Sequence, residues 1–296
     1  MSYTRFAPMI ASARPYPALW RLFLGILTVV AVAALWMVTL FGGYAVLGNL
    51  ATSEAALAFI EPPAPRPIVT LLFLLMIGGL GLGAMVAARL WQKRRPGTLF
   101  GPRVSTLRNF GQAAAVSLAV MLVLGLLTLP FIQTPAPNLD PATWLLWLPL
   151  ALAALAIQTG SEELLFRGYL QSQLAARFST PFVWLFLPAL LFGLLHMQPG
   201  LSLPHTLTLI TVTFLFGVLA GDLTARTGNI GAAWGFHFAN NALIILFVSN
   251  EPALQGLSLY RTDNPLAEIT TFSPLIAFEL VTLIAIWAMI RRVLAV

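Results

Sequence analysis

Eight apolar runs separated by short polar stretches set the pattern of this chain. They fall at about 19–48, 67–91, 112–133, 143–161, 181–197, 204–226, 229–249 and 273–294. All but the fifth are long enough to cross about 30 Å of hydrocarbon as a helix rising about 1.5 Å per residue. The pattern predicts an all-α polytopic membrane protein of about eight transmembrane helices, one integral membrane domain without a soluble module. Three regions follow: 1–142 with three spans, 143–250 with spans four to seven, and 251–296 with an outer loop and the last span. The first run is longer than a crossing needs, and a tilt or break is expected near Gly42-Gly43.

Composition agrees. Of 296 residues 59% are hydrophobic and 9% charged, against about 45–50% apolar in a soluble domain. The absence of cysteine excludes disulfides, thiolate catalysis and cysteine-bound metal. The net charge of +6 does not point to nucleic acid, because the basic residues are scattered between apolar runs. They suit contact with the lipid bilayer's anionic head groups. Arg5, Arg14 and Arg21 precede the first run. Arg89, Lys93, Arg94, Arg95, Arg103 and Arg108 follow the second. Arg177, Arg226, Arg291 and Arg292 complete one side, and the opposite loops hold Arg66 and Arg261. The positive-inside rule makes the richer side cytoplasmic, which places both termini in the cytoplasm of a cell-membrane protein. The first run is too long for a cleavable signal and reads as a retained span.

Three stretches break the apolar pattern. Gly160-Ser161-Glu162-Glu163-Leu164-Leu165-Phe166-Arg167-Gly168 ends span four, Phe192 to His196 ends span five, and His237-Phe238-Ala239-Asn240-Asn241 lies inside span seven. An ionisable group at mid-bilayer costs about 2.5–3.5 kcal/mol on insertion scales, so the set needs a reason. Residues four apart share a helix face. Glu163 can therefore pair with Arg167, and His237 points the same way as Asn241. Glu162 is turned by about 100° from Glu163, which separates the two carboxylates into a cavity-facing group and an anchored one. A lone buried histidine or asparagine is usually structural. Two histidines, an asparagine and a carboxylate pair on three spans point instead to one site.

Such a set supports amide hydrolysis. A carboxylate held away from bulk water suits a general base, and histidine and asparagine can donate to a developing oxyanion. Glu162, His196 and His237 could alternatively ligate a divalent metal, since two imidazoles and a carboxylate match a catalytic zinc set. The asparagine and the lack of cysteine favour a site that requires no cofactor. There is no H-E-x-x-H helix and no G-x-S-x-G elbow. Ser161 reads as a cap or packing residue, His205 beside Pro204 as interfacial, and Asp222–Arg226 as a local ion pair. Gly79 and Gly83 read as a helix-packing pair. Glu279 in the last run has no evident partner, and the polar excursion Glu251 to Phe272 reads as an outer loop.

E-E-x-x-x-R at Glu162, Glu163 and Arg167, F-x-x-x-H at Phe192 and His196, and H-x-x-x-N at His237 and Asn241 resemble, in this order, the CPBP family (CAAX protease and bacteriocin-processing), also called Abi. The likeness covers about 143–250. It implies an eight-helix intramembrane protease that removes the last three residues of prenylated CAAX proteins, acting on a membrane-anchored peptide or protein substrate. By the same resemblance Glu162 activates water with help from His196, His237 and Asn241 stabilise the oxyanion, and Glu163, Arg167 and Phe192 orient. The family has been described both as metalloproteases and as glutamate-dependent proteases. It also includes immunity and partnering proteins, so a non-catalytic scaffold is the competing reading. A proton-coupled transporter is disfavoured by the lack of an internal repeat. The expected boundaries place Glu162 and His196 near opposite faces. Either the chain re-enters after span four or span five is displaced; the apolar run through Leu170 favours a longer, tilted span four.

Overall fold

The computed structural model describes residues 3–51, 54, 66–128, 135–198, 200–249, 252–262 and 274–296. The helices are α1 (Ala7–Ala13), α2 (Leu19–Leu47), α3 (Pro67–Trp91), α4 (Arg103–Thr128), α5 (Pro141–Arg177), α6 (Phe182–Leu194), α7 (Leu203–Thr227), α8 (Gly231–Ala242) and α9 (Pro274–Val293). Among the described residues five helices are long and apolar enough to cross a membrane, and α6 is a shorter apolar helix. The chain is an all-α polytopic membrane protein in which short segments complete what long spans enclose. Three two-residue strands, β1 (Ala136–Pro137), β2 (Val248–Ser249) and β3 (Tyr260–Arg261), tie one end, in the order β1-β3-β2.

The largest departure from the expected pattern is α5. Span four was expected to end at 161, but the helix runs unbroken for 37 residues to Arg177. That is about 55 Å at about 1.5 Å per residue, well beyond one hydrocarbon thickness. Glu162 and Glu163 therefore sit mid-helix, on the longer span four that the apolar run through Leu170 favoured over a re-entry. Asp140 starts α5 by accepting from Thr143 N at 3.0 Å, with Pro141 at the first position, the arrangement that best serves unsatisfied N–H groups. From Leu164 to Gln171 the helix widens into π turns, a feature frequent at functional sites. Helix α2 continues through Gly42-Gly43 to Leu47, so the expected break is absent. Helix α4 begins at Arg103, some way before the expected start of span three. The expected end at 133 and start at 273 lie outside the described residues, as do Asp263, Asn264, Pro265 and Glu268 of the outer loop.

Small residues govern the packing. A Cβ at Gly79 would stand 2.8 Å from Ala33 Cα, and one at Gly83 would stand 2.7 Å from Val29 Cα, so α3 lies backbone-to-backbone on α2 as the small-residue spacing predicted. Gly81 faces Ser161 in the same way and seats α3 on α5. Helix α8 rides on α4 through Gly231 and Gly235, whose missing side chains admit the carbonyls of Thr106 and Phe110. Gly228 closes α7 with φ +71°, and Arg5's carbonyl occupies the place of its Cβ.

The segment before the first span is not a free basic tail. Phe6, Met9 and Ala13 are buried, and Tyr3 and Phe6 pack on Trp184 with ring centroids 5.3 and 5.6 Å away. Asp222 accepts from Tyr3 Oη at 2.9 Å, Arg226 Nε at 2.7 Å and Trp287 Nε1 at 2.9 Å. The expected Asp222–Arg226 pair is thus present, but it is buried and joins α7 to α9 and the N-terminal segment. Burial and the neighbouring Asp222 carboxylate push the Tyr3 phenol above its usual range. Arg94, expected to face head groups, is 3% exposed and donates to Ser172 Oγ at 2.9 Å. Its burial pushes the guanidinium down to about 10.

Candidate active site

The polar residues of α5 are held by neighbours on three sides. Gly160 leaves room for the Trp234 indole, whose Nε1 donates to Ala156 O at 3.1 Å and Thr159 Oγ1 at 3.2 Å. Those bonds lock α8 to α5 beside the carboxylates. Ser161 packs against α3 and donates a long bond, 3.4 Å, to Gly78 O, in keeping with a packing role. Asn229 sets the start of α8 by accepting from Gly231 N at 3.0 Å.

The two glutamates have different surroundings. Glu163 is fully buried; its Oε1 accepts from Arg167 Nη1 at 3.0 Å and from His237 Nδ1 at 2.8 Å. Arg167 also reaches Gly217 O at 3.4 Å, and its guanidinium lies 4.8 to 5.8 Å from the ring centres of Phe192, Phe216 and Phe166. Aromatic faces around a desolvated cation are favourable. Glu162 is 8% exposed. Its Oε1 accepts from Gln158 Nε2 at 2.9 Å, and its Oε2 lies 3.5 Å from His237 Nε2 with no hydrogen-bond partner. The Glu163–Arg167 pair expected from spacing is present; each glutamate keeps an Oε2 without a hydrogen-bond partner, and they differ in that Glu163 Oε1 is held by Arg167 and His237 and Glu162 Oε1 by Gln158.

His237 bridges them. Its Nδ1 faces Glu163 and its Nε2 faces Glu162, so the ring is held edge-on between two carboxylates. Asn241, one turn further along α8, donates Nδ2 to Gln158 Oε1 at 3.1 Å. His196 stands apart. It is half-buried just past α6, and among the described residues its hydrogen-bond partner is Phe192 O at 2.7 Å. A carbonyl only accepts, so Nδ1 carries the proton and the neutral ring's open lone pair is on Nε2. Phe192 packs on both imidazoles, 4.6 Å from His196 and 5.8 Å from His237 between ring centres. His196 is thus beside the site without bonding either glutamate.

Among the described residues no three His, Asp or Glu side chains are grouped to hold a metal ion. The set considered for zinc, Glu162, His196 and His237, is not assembled, because His196 is turned to its own helix end. Gln158 was missed from sequence although it lies four residues before Glu162 and so shares its face. Phe216, which packs on His237 with ring centres 5.0 Å apart, carried no local signal.

The buried set holds two carboxylates and one guanidinium. A water placed at Glu162 Oε2 would meet an oxygen that has no hydrogen-bond partner among the described residues.

Residues 141–243 match a family described as type II CAAX prenyl endopeptidase Rce1-like, about the interval from α5 through α8. The chain is also 30% identical over 137 residues to "Uncharacterized protein YyaK" of Bacillus subtilis (strain 168), covering 44% of each chain. It therefore spans less than half the length of that relative. No solved structure gives a significant match.

Proposed function

With a segment similar to the type II CAAX prenyl endopeptidases running from α5 through α8, we propose that the chain is an intramembrane endopeptidase that hydrolyses a peptide bond of a membrane-anchored, CAAX-type prenylated substrate. The observation that carries the proposal is the open Oε2 of Glu162, buried and 3.5 Å from His237 Nε2. A general base needs an unengaged lone pair within reach of its proton, directly or through one water.

Water bound at Glu162 Oε2 gives that oxygen a proton as its own oxygen attacks the scissile carbonyl carbon. The carbonyl oxygen gains charge and is met by the free amide N–H of Asn241, beside the His237 ring. Collapse of the tetrahedral adduct breaks the C–N bond, and the proton taken by the buried set goes to the leaving amine. Glu163 and Arg167 hold the His237 ring, Phe192 lies against both imidazoles, and the open Nε2 of His196 assists the water through a second solvent molecule. Each donor to the oxyanion is worth about 10²–10³ in rate. No step is routed through a metal.

The basic loops make the side that carries both termini the cytoplasmic one in this reading, and the cell membrane the protein's location. The test is cleavage of prenylated CAAX peptides in vesicles. Wild-type protein releases the three-residue product, and excess chelator leaves the rate unchanged. Activity that is lost to chelator and restored by zinc would replace the metal-independent mechanism; a wild-type protein that cleaves no prenylated peptide would remove the proposal.

A further inference from the structure

Gln158 has no part in the steps above, yet it is 4% exposed on the same face of α5 and both ends of its amide are engaged within the site. Nε2 donates to Glu162 Oε1 at 2.9 Å, and Oε1 accepts from Asn241 Nδ2 at 3.1 Å. An ionised carboxylate only accepts. Glu162 therefore fixes which end of the Gln158 amide faces it, and the other end must be an acceptor. That in turn requires Asn241 to present Nδ2, leaving Asn241 Oδ1 to accept from Asn240 Nδ2, at 3.3 Å. The polarity of the whole chain, Asn240 to Asn241 to Gln158 to Glu162, is set by one charge.

From this geometry we infer that Gln158 is a positioning residue that couples the base to the oxyanion donor, an inference that rests on the reading of Glu162 as base. It occupies Glu162 Oε1 and so leaves Oε2 as the oxygen that takes the proton. It also holds one N–H of Asn241, and the second N–H of that amide is the one left for a substrate carbonyl. Both effects bear on the transition state more than on substrate binding. Loss of Gln158 thus appears in kcat rather than in KM.

The test uses the full-length protein in vesicles with a prenylated CAAX peptide. Gln158→Met keeps length and volume and removes both hydrogen bonds. Gln158→Glu keeps shape and the acceptor for Asn241 but removes the donor to Glu162. A donor to a charged group corresponds to about 10- to 100-fold, so either variant loses about that much in kcat while KM stays within about threefold. In an Asn241→Ala background the further loss from Gln158→Met is smaller than in wild type, because the share that acts through Asn241 is already gone. Either variant, folded as judged by melting, with wild-type kcat overturns the inference; so does full additivity with Asn241→Ala. Glu162→Gln is measured beside them. If it retains wild-type rate the base reading itself fails, whereas loss in Glu162→Gln with none in Gln158→Met removes Gln158 alone.

Discussion

Glu163 and Arg167 form a buried ion pair with the exposure of neither above 2%, and the consequence is an asymmetry between the two neighbouring glutamates. Removing one member of a buried pair strands the other charge, at a cost of about 3–5 kcal/mol. Glu163→Gln or Arg167→Met is therefore expected to lower the melting temperature of the detergent-solubilised protein markedly. Glu162→Gln leaves the pair intact and is expected to shift it little. Equal shifts for Glu162→Gln and Glu163→Gln would show that the division into an anchored and an open carboxylate is wrong. The Glu163–Arg167 pair was legible from residue spacing alone, because four positions on a helix return to one face. The partner of His237 was not. Its bond to Glu163 joins α5 to α8 across 74 positions of chain, and no local rule points to it. Gln158 was legible in principle by the same four-residue spacing, but an uncharged amide in an apolar run lacks the insertion cost that marks a pair of carboxylates.

At the scale of helices, close approach decides which faces meet. Val29 Cα and O would lie 2.7 and 2.9 Å from a Cβ at Gly83, and backbone cannot swing aside. Gly83→Val is expected to destabilise by about 1–3 kcal/mol or more through overpacking, seen as an earlier thermal transition. Gly42 has nothing within 4 Å of its would-be Cβ, so Gly42→Ala is expected to be neutral or slightly stabilising, since alanine is the better helix former. A Gly83→Val protein as stable as Gly42→Ala would contradict the α2–α3 contact. The Gly79–Gly83 spacing announced this contact in advance. Helix ends were less readable. Apolar content cannot mark the end of α5, because Leu164, Phe166, Tyr169 and Leu170 continue the run while Gln171, Ser172 and Gln173 are buried by tertiary contacts. The Asp140-Pro141 start is a helix-start signal of a kind that can be read locally.

Across the whole molecule, long helices enclose short ones, and the N-terminal segment is part of the enclosure. Asp222 holds Tyr3, Arg226 and Trp287 together, so Asp222→Ala is expected to free the segment and speed tryptic cleavage after Arg5; an unchanged digestion rate would deny that anchoring. Arg5 and Arg14 count this stretch among the basic segments of one side, although Phe6, Met9 and Ala13 carry the helix-spaced apolar face that is buried in the fold. The same enclosure gathers α5, α6, α7 and α8 around Glu162, and the proposed activity depends on that carboxylate. The direct measurement is the rate at which wild type and a Glu162→Gln protein of equal melting temperature cleave a prenylated CAAX peptide in vesicles. The account predicts that the variant loses about 10²–10⁴ in rate, the usual contribution of a general base; equal rates in the two proteins would contradict it.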